Sequence, residues 1–263
     1  MTRRTLAVLA LCSIALLPLV AGAAEASLDA QVNSAYLWRG QLLNDEAVFQ
    51  PSLTVSTDYG LSFNTWGSFN LTDSLGEDAD QEFTEVDLTV SYALPIEAVD
   101  AEIGVAEYVF PHATTVVFAE DESTIAAVSY PDTREVFARL GLKTLLAPTL
   151  YVAYDFDEAE AFYGSIGVSH GVDVTEAFNA ELALSLGAGD SDYNLYYFGI
   201  DDEALNDATA TLTLTYAISE SVSLGGYVTY MKLVDSDIED AADATYFNDG
   251  DEVVGGGTLS YTF

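Results

Sequence analysis

The sequence predicts an all-β protein, an antiparallel transmembrane β-barrel of about 12 strands with both termini on the periplasmic side. Three observations lead to this fold class. Apolar and polar residues alternate along most of the chain, short and long connections follow one another, and the last segment alternates up to a C-terminal phenylalanine. Together these features are typical of barrels that cross the bacterial outer membrane.

The first 26 residues have the pattern of a cleaved secretory signal peptide. Arg3 and Arg4 precede an apolar stretch at residues 6–20, and small residues follow at 21–26. The apolar stretch is shorter than the roughly 20 residues that a membrane-spanning helix needs. We therefore predict a signal peptide at 1–26 and one barrel domain at 27–263. Cys12, the one cysteine of the chain, lies in the signal, so the exported protein has no disulfide.

Alternation with a period of two residues gives each predicted strand one apolar and one polar face. Residues 208–218, for example, alternate aliphatic side chains with threonines. The pattern predicts strands at about twelve places, near residues 28–39, 49–59, 61–71, 82–94, 99–110, 134–142, 149–156, 161–172, 177–187, 208–218, 222–232 and 253–263.

The connections between these segments differ in length in an ordered way. Those near residues 60, 95–98, 143–148, 173–176 and 219–221 are short, whereas those at 41–47, 72–81, 111–133, 190–207 and 234–252 are longer. Only the connection at 157–160 breaks the order. If both termini lie at one end, the short turns are periplasmic and the longer loops external, as in outer-membrane barrels.

The aromatic residues agree with a membrane location. Tyr36, Trp38 and other aromatic residues lie near predicted strand ends, where an interfacial girdle requires them, and we expect both of these to face lipid. Phe263 ends a strand whose apolar face also carries Leu259 and Tyr261, a pattern typical of strands recognised by the outer-membrane insertion machinery. A secreted β-sandwich would also alternate, but apolar faces on nearly all strands favour a barrel in lipid.

The opposite strand faces predict a polar and mostly acidic lumen. The candidate lumen-lining residues are Arg39, Asp58, Trp66, Glu85, Asp87, Glu102, Glu135, Arg139, Asp155 and Glu181. Such a lumen is either a water-filled channel that prefers cations or a sealed interior in which charges pair with one another. Arg39 and Arg139 are expected to pair with carboxylates such as Glu135 or Asp87, although Arg39 could also act as a charge lining the narrowest part of a pore.

Composition excludes several function classes. The chain has 43 acidic and 7 basic residues, a formal net charge of −36, so nucleic acid is not expected as a partner. The acidic loops are interpreted as a solvated exterior, because the segment that starts at Asp235 lacks the glycine and the terminal glutamate of a calcium loop. We expect no cofactor, no metal site and no catalytic residue. His112 and His170, the two histidines, have no recognisable serine context.

The first three predicted strands resemble a known family. The stretches "SAYLWRGQLLNDEAVFQPSLTV" and "GLSFNTWGSFN" are similar to the opening of the TorF-type porins, proteobacterial outer-membrane barrels of poorly defined function. The positions that carry the resemblance are Tyr36, Arg39, Gly40, Gln50, Pro51, Gly60, Trp66, Gly67 and Ser68. The resemblance implies a porin in the outer membrane of a Gram-negative cell and implies no particular solute.

These features lead to one favoured function and two alternatives. We expect a porin, not an enzyme, for passive passage of small solutes or cations, with outer-membrane lipid and the insertion machinery as its partners. A non-conducting structural or scaffolding barrel is the first alternative. An outer-membrane lipid hydrolase is the second and the less favoured one.

Overall fold

The computed structural model describes residues 24–72, 81–111, 114–118, 125–129, 131–245 and 250–263. Twelve strands form a closed antiparallel barrel, which confirms the predicted barrel of about 12 strands, whereas the periplasmic location of the termini stays a prediction. The wall strands are β1 (Ala24–Asn33), β4 (Val48–Thr57), β5 (Leu61–Asn70), β6 (Phe83–Leu94), β7 (Val99–Val109), β10 (Thr133–Leu142), β11 (Thr149–Asp155), β12 (Phe162–Thr175), β13 (Phe178–Gly189), β14 (Ala204–Ala217), β15 (Val222–Leu233) and β16 (Asp251–Thr262). Residues 1–23 of the predicted signal peptide lie outside the described residues, and its cleavage stays a prediction.

Further elements lie between the wall strands. β2 (Tyr36–Trp38) and β3 (Gln41–Asn44) form one hairpin, and β8 (Thr114–Phe118) and β9 (Ile125–Ser129) form another. The described residues also include two helices, α1 (Ser191–Phe198) and α2 (Ser236–Thr245), in the loops after β13 and β15. Neither of these described helices has the length and apolar character needed to cross a membrane.

The barrel closes where its first and last strands pair, with Leu28 opposite Tyr261. The backbone N–H of Phe263 also donates to the carbonyl of Ala26 at 2.8 Å. Both ends of the wall therefore lie together, at the end of the barrel that carries the short turns, which we call the terminal end. Closure matters because an open sheet edge in lipid would leave backbone groups without hydrogen-bond partners.

The outer face is apolar over the whole circumference. Its exposed large side chains include Leu28, Val90, Ile103, Leu140, Val152, Ile166, Leu182, Leu212, Leu224 and Leu259. Exposed apolar area of this extent is unusual in a soluble monomer. It matches the lipid-facing band of an outer-membrane barrel.

Gly104 of β7 lies where the lumen wall is most tightly packed. A Cβ at this position would lie 2.8 Å from the carbonyl oxygen of Val90 and would overlap the Phe137 ring. We expect Gly104→Ala to lower the unfolding free energy by about 1–3 kcal/mol, because the backbone oxygen cannot move aside. Heat-modifiable gel migration of the refolded barrel measures this loss. Gly225→Ala is the control, because its nearest neighbour lies at 3.8 Å; equal unfolding temperatures for the two variants would contradict the prediction.

The structure corrects one assignment of side-chain direction. Tyr36 and Trp38 were expected to face lipid as part of the first wall strand, but β1 ends at Asn33 and the chain bends at residues 34–35. The following hairpin turns into the barrel, so both rings face the lumen side. The bend at residues 34–35 interrupts the alternation of the strand. A period of two that is continued past residue 34 therefore assigns Tyr36 and Trp38 to the wrong face.

Candidate functional site

The hairpin of residues 36–44, which we call the inserted hairpin, occupies the lumen at the end opposite the termini. Its turn is Arg39-Gly40, with φ of 48° and 82°. Two consecutive positive φ angles are the requirement of a tight type I′ hairpin turn, which glycine meets without strain. Gln41 donates to the Tyr193 hydroxyl at 3.2 Å, and Asn44 donates to Asn70 at 2.9 Å. The hairpin is thus held by buried polar contacts as well as by its turn.

Arg39 fixes the tip of this hairpin to the opposite wall. Its two terminal nitrogens donate to the two oxygens of Glu135 at 2.7 and 2.8 Å. The side chains are 8% and 3% exposed, and the Tyr108 hydroxyl donates to the same carboxylate at 2.9 Å. The guanidinium also lies 4.3 Å from the ring centre of Trp38 and 4.6 Å from that of Tyr163. The predicted pairing of Arg39 with Glu135 is confirmed.

An apolar cluster packs beside the hairpin at the same end. Tyr193 and Phe198 of α1 and Ile238 and Ala242 of α2 are buried in it, with Met231 of β15. Leu37 and Leu43 of the inserted hairpin pack against this cluster. Loop helices and hairpin together therefore fill much of the lumen here, and we call this the capped end.

A cavity of about 480 Å³ lies next to the inserted hairpin. Its polar lining consists of amides, threonines, carboxylates and the paired guanidinium of Arg39, and its apolar lining consists mainly of aromatic rings. The residues that line the cavity include Gln31, Asn33, Gln50, Asp87, Asp207, Thr209, Thr211, Tyr36, Trp38, Trp66, Tyr108 and Tyr227. This volume lies in the range of small-molecule sites, which are roughly 300–1,000 Å³.

Three neighbouring wall strands place an acidic residue between two aromatic ones. Trp66 of β5 is paired with Asp87 of β6, and Asp87 is paired with Tyr108 of β7. The inserted hairpin adds a ring on each side: Tyr36 lies 5.5 Å from Trp66, and Trp38 lies 6.1 Å from Tyr108, between ring centres. We call these five residues the aromatic–carboxylate row.

Glu85 extends the acidic character of this wall. It is buried and hydrogen-bonds both the Tyr36 hydroxyl and the Asp87 side chain. Burial, followed by the negative charges of Glu85 and Asp87, raises the pKa of Tyr36 well above its usual value. Tyr36 therefore stays a neutral donor. Oδ1 of Asp87 is buried without a hydrogen-bond partner among the described residues.

Four cations of the described chain form ion pairs with carboxylates other than those facing the cavity. Besides the Arg39–Glu135 pair, Arg139 contacts Glu102 at 3.2 Å and Lys143 contacts Asp100 at 3.0 Å. Arg134 lies between Glu107 and Asp157 at 3.0 Å from each. No ion pair is formed by Glu85, Asp87 or Asp207 with these four cations of the described chain. The charge facing the cavity is consequently acidic.

The other predicted lumen residues lie in different settings. Asp155 is buried at the end of β11, where it accepts from the Thr133 hydroxyl at 2.7 Å and from two backbone amides of the following turn. Glu181 is exposed on β13, opposite Gly171. Asp58 is not on the wall, because β4 ends at Thr57 and Asp58 lies in the exposed turn that follows. The alternation had been extended one residue too far.

The residues that carry the family resemblance lie around the hairpin and its supporting strands, except Gly60, which lies in the turn between β4 and β5 at the terminal end. Gln50 accepts from Asn33 at 2.6 Å and donates to Ser68 at 3.3 Å. Pro51 and Gly67 lie on β4 and β5, on the wall beside the hairpin. Phe263 is exposed, and its ring lies 4.7 Å from that of Tyr261, so its suggested role in assembly stays a prediction.

Sequence reasoning missed the loop helices and the residues that fix them. Asp190 caps α1 by accepting from the amide of Tyr193 at 2.8 Å, and Gly199 ends the helix with φ of 72°. An aspartate and a glycine spaced in this way are the signal that could have predicted the helix. Asp235 likewise accepts from the amides of Asp237 and Ile238, the first of these at 2.9 Å. The acidic segment that starts at Asp235, which lacks the full pattern of a calcium loop, therefore leads into helix α2.

The histidines offer little for hydrolysis. His170 has its Nδ1 3.0 Å from the carbonyl oxygen of Leu145 and is exposed on the outer wall. His112 lies outside the described residues. A hydrolase would need a nucleophile within hydrogen-bond reach of its base, and His170 is instead engaged by the backbone of a turn.

Three comparisons with known proteins bear on the fold and the family. A model of the family described as MltA-interacting protein MipA matches residues 30–263. The match supports an outer-membrane barrel family under a different name from the TorF-type group. No curated protein sequence matches the chain.

Solved structures show the same architecture. A structure described as "KdgM porin" aligns with a TM-score of 0.52 and 9% identity, covering 90% of this chain and 99% of that one. A second, "KdgM porin in complex with disordered oligogalacturonate", aligns with a TM-score of 0.51 and 8% identity, covering 91% and 99%. At such identities the likeness concerns the fold alone, and that fold is the one of outer-membrane porins.

Proposed function

The chain belongs to the MipA family of outer-membrane β-barrels, and from this premise we propose that it is a porin of restricted aperture that passes small solutes and prefers cations. The observation that carries the proposal is the charge of the lumenal cavity. Glu85, Asp87 and Asp207 lie at or beside it, whereas the nearest cation, Arg39, is neutralised by Glu135. Acidic side chains lining a path favour cations over anions.

The inserted hairpin limits what passes. It crosses the lumen beside the cavity, so large solutes are excluded, and passage is confined to the space between the hairpin and the wall. The terminal end has mostly small lumenal side chains, such as Ser62, Thr89, Thr213 and Thr258. We therefore place the narrowest part of the path at the capped end, and we propose that this end faces the cell exterior.

Ion selectivity in planar bilayers tests the proposal. We expect wild-type barrels in a salt gradient to show a reversal potential of the sign that cation preference gives. Asp87→Asn combined with Glu85→Gln should lower the cation-to-anion permeability ratio by about twofold or more, because it removes two carboxyl groups that share a hydrogen bond and the negative charge of this wall. Asp58→Asn is the matched control, since Asp58 lies in an exposed turn away from the cavity.

Two results would contradict the proposal. One is the absence of channel current from barrels that are shown to be folded by heat-modifiable gel migration. The other is anion preference in the wild type, or a selectivity that responds equally to the Asp58 control and to the lumenal double variant.

A second candidate function is a barrel without conduction that serves as a docking platform. The packed cluster around Tyr193, Phe198 and Met231 at the capped end favours it, and the family description names an interaction with MltA. Folded barrels that carry no current, yet retain a bound partner in co-purification, would support this function over the porin.

A further inference from the structure

One carboxylate oxygen of the aromatic–carboxylate row has no hydrogen-bond partner among the described residues. Asp87 lies between Trp66 and Tyr108 in the register of β5, β6 and β7, and its Oδ1 is buried with no hydrogen-bond partner among the described residues. A buried carboxylate oxygen without a hydrogen-bond partner destabilises the folded protein, and more so when the group is charged. A group that donates to it, or a positive charge, would relieve this cost.

That positive charge cannot come from the protein's own lysines and arginines. From residue 24 onward these are Arg39, Arg134, Arg139, Lys143 and Lys232. The first four contact other carboxylates, and Lys232 is exposed on β15, with its neighbours Met231 and Leu233 buried on the opposite face. These cations therefore leave Asp87 without a cationic partner, and its side chain lines the cavity beside the inserted hairpin.

The surrounding rings decide which kind of cation fits. Tyr36 with Trp66, and Trp38 with Tyr108, form an aromatic pair on each side of Asp87. Aromatic faces attract ammonium groups that carry alkyl substituents, because the negative ring face interacts with the positive charge. The chain already uses this chemistry once, because the Arg39 guanidinium lies over Trp38 and Tyr163.

A metal ion fits this site less well. Calcium takes about 6–8 oxygen ligands and magnesium needs near-octahedral geometry, whereas Asp87 offers one free oxygen here. Among the described residues, no group of three or more His, Cys, Asp or Glu side chains could hold a metal ion. The amides and threonines on the remaining cavity wall suit hydroxyl or amine groups of an organic molecule instead.

We propose that the aromatic–carboxylate row, Tyr36, Trp38, Trp66, Asp87 and Tyr108, is a binding site for a small organic ammonium ion within the barrel. Asp87 accepts from the ammonium group or pairs with its charge, and the rings contact its alkyl groups. The cavity of about 480 Å³ accommodates the rest of the molecule. The inference rests on the proposed function in one respect, since it names the solute class of that pore.

Intrinsic fluorescence provides a direct measurement of binding. The chain has two tryptophans, Trp38 and Trp66, and both belong to the row. We expect titration of the refolded full-length barrel in detergent with choline to give a saturable change in tryptophan emission. Sodium chloride at the same ionic strength should give none, because sodium does not bind aromatic faces in the same way.

Variants separate binding from structural effects. Asp87→Asn should weaken the apparent affinity for choline at least about tenfold, the result of losing one buried charge contact. Tyr108→Phe loses only the hydroxyl that donates to Glu135, whereas Tyr108→Leu also loses the ring, so Tyr108→Leu should bind choline more weakly than Tyr108→Phe. Asp58→Asn is the control and should match the wild type. Thermal midpoints establish that each variant is folded.

The outcomes are separate from those of the conductance experiment. Saturable choline binding by barrels that carry no current would support this binding site and contradict the porin function. Cation-selective current without choline binding, or with equal binding by Asp87→Asn, would overturn the site and leave the porin. A response to sodium equal to that to choline would also overturn it, since the site would then be a general acidic surface.

Discussion

Replacing Glu135 by glutamine is expected to increase the conductance of the barrel severalfold. The substitution leaves the Arg39 guanidinium buried at the hairpin tip without its counter-charge, a change that costs about 3–5 kcal/mol when a buried pair loses one partner. The lower-energy arrangement then has Arg39 in water, so the inserted hairpin leaves the lumen. Single-channel recording in planar bilayers measures the change, and the unfolding temperature of the refolded protein is expected to fall with it.

Two further variants make this experiment decisive. Glu107→Gln removes an acid from the exposed Arg134 pair, and exposed pairs contribute about 0–1 kcal/mol, so its conductance should equal that of the wild type. Replacing Arg39 and Glu135 together by methionine substitutes an apolar pair of similar volume, which is often tolerated, and should restore the low conductance. If Glu135→Gln conducts like the wild type, Arg39 does not hold the hairpin.

Replacing Asn206 by alanine is expected to destabilise the capped end by about 3 kcal/mol. Asn206 is fully buried; it accepts from the Gly189 amide at 2.8 Å and donates to Asn194 at 2.7 Å. Asn194 in turn donates to the Asp202 carbonyl at 2.8 Å and so fixes the end of the loop that contains α1. The variant leaves two buried groups unpaired, each at about 1–3 kcal/mol.

Thermal unfolding of the refolded barrel measures this effect. A loss of about 3 kcal/mol corresponds to a decrease of about 6–12 °C for a domain of this size. Asn179→Ala is the matched control, because Asn179 donates to Asp173 at an exposed site near the terminal end. The prediction is refuted if both asparagine variants unfold at the same temperature.

The wall of the barrel could be predicted because every wall strand obeys one simple rule. Lipid on one side and a polar lumen on the other impose a period of two, and residues 49–57 and 208–217 follow it along their whole length. Where the alternation ends, the prediction was wrong in two ways. The strand was predicted one residue too long at Asp58, and Tyr36 and Trp38 were assigned to the lipid-facing side instead of the lumen side. No glycine or proline marks the bend at residues 34–35, so the start of the hairpin carries no strong local signal.

The candidate functional site could be predicted only in part, because its geometry depends on contacts between different segments of the chain. Parity placed Trp66, Asp87 and Glu135 on one face of the wall, and charge balance predicted a carboxylate partner for Arg39. The arrangement of the four rings and the carboxylate depends on how the inserted hairpin lies across β5, β6 and β7. Such contacts join segments far apart in sequence, and alternation within one strand contains no information about them.

The short linkers of the inserted hairpin determine how a blocked pore would behave in time. Two residues, 34 and 35, join it to β1, and three residues, 45–47, join it to β4. At roughly 3.3–3.6 Å per extended residue, a released hairpin stays within reach of its binding place. Its return is a first-order process at a high effective concentration. Openings should therefore be brief, with dwell times that do not depend on how much protein is present.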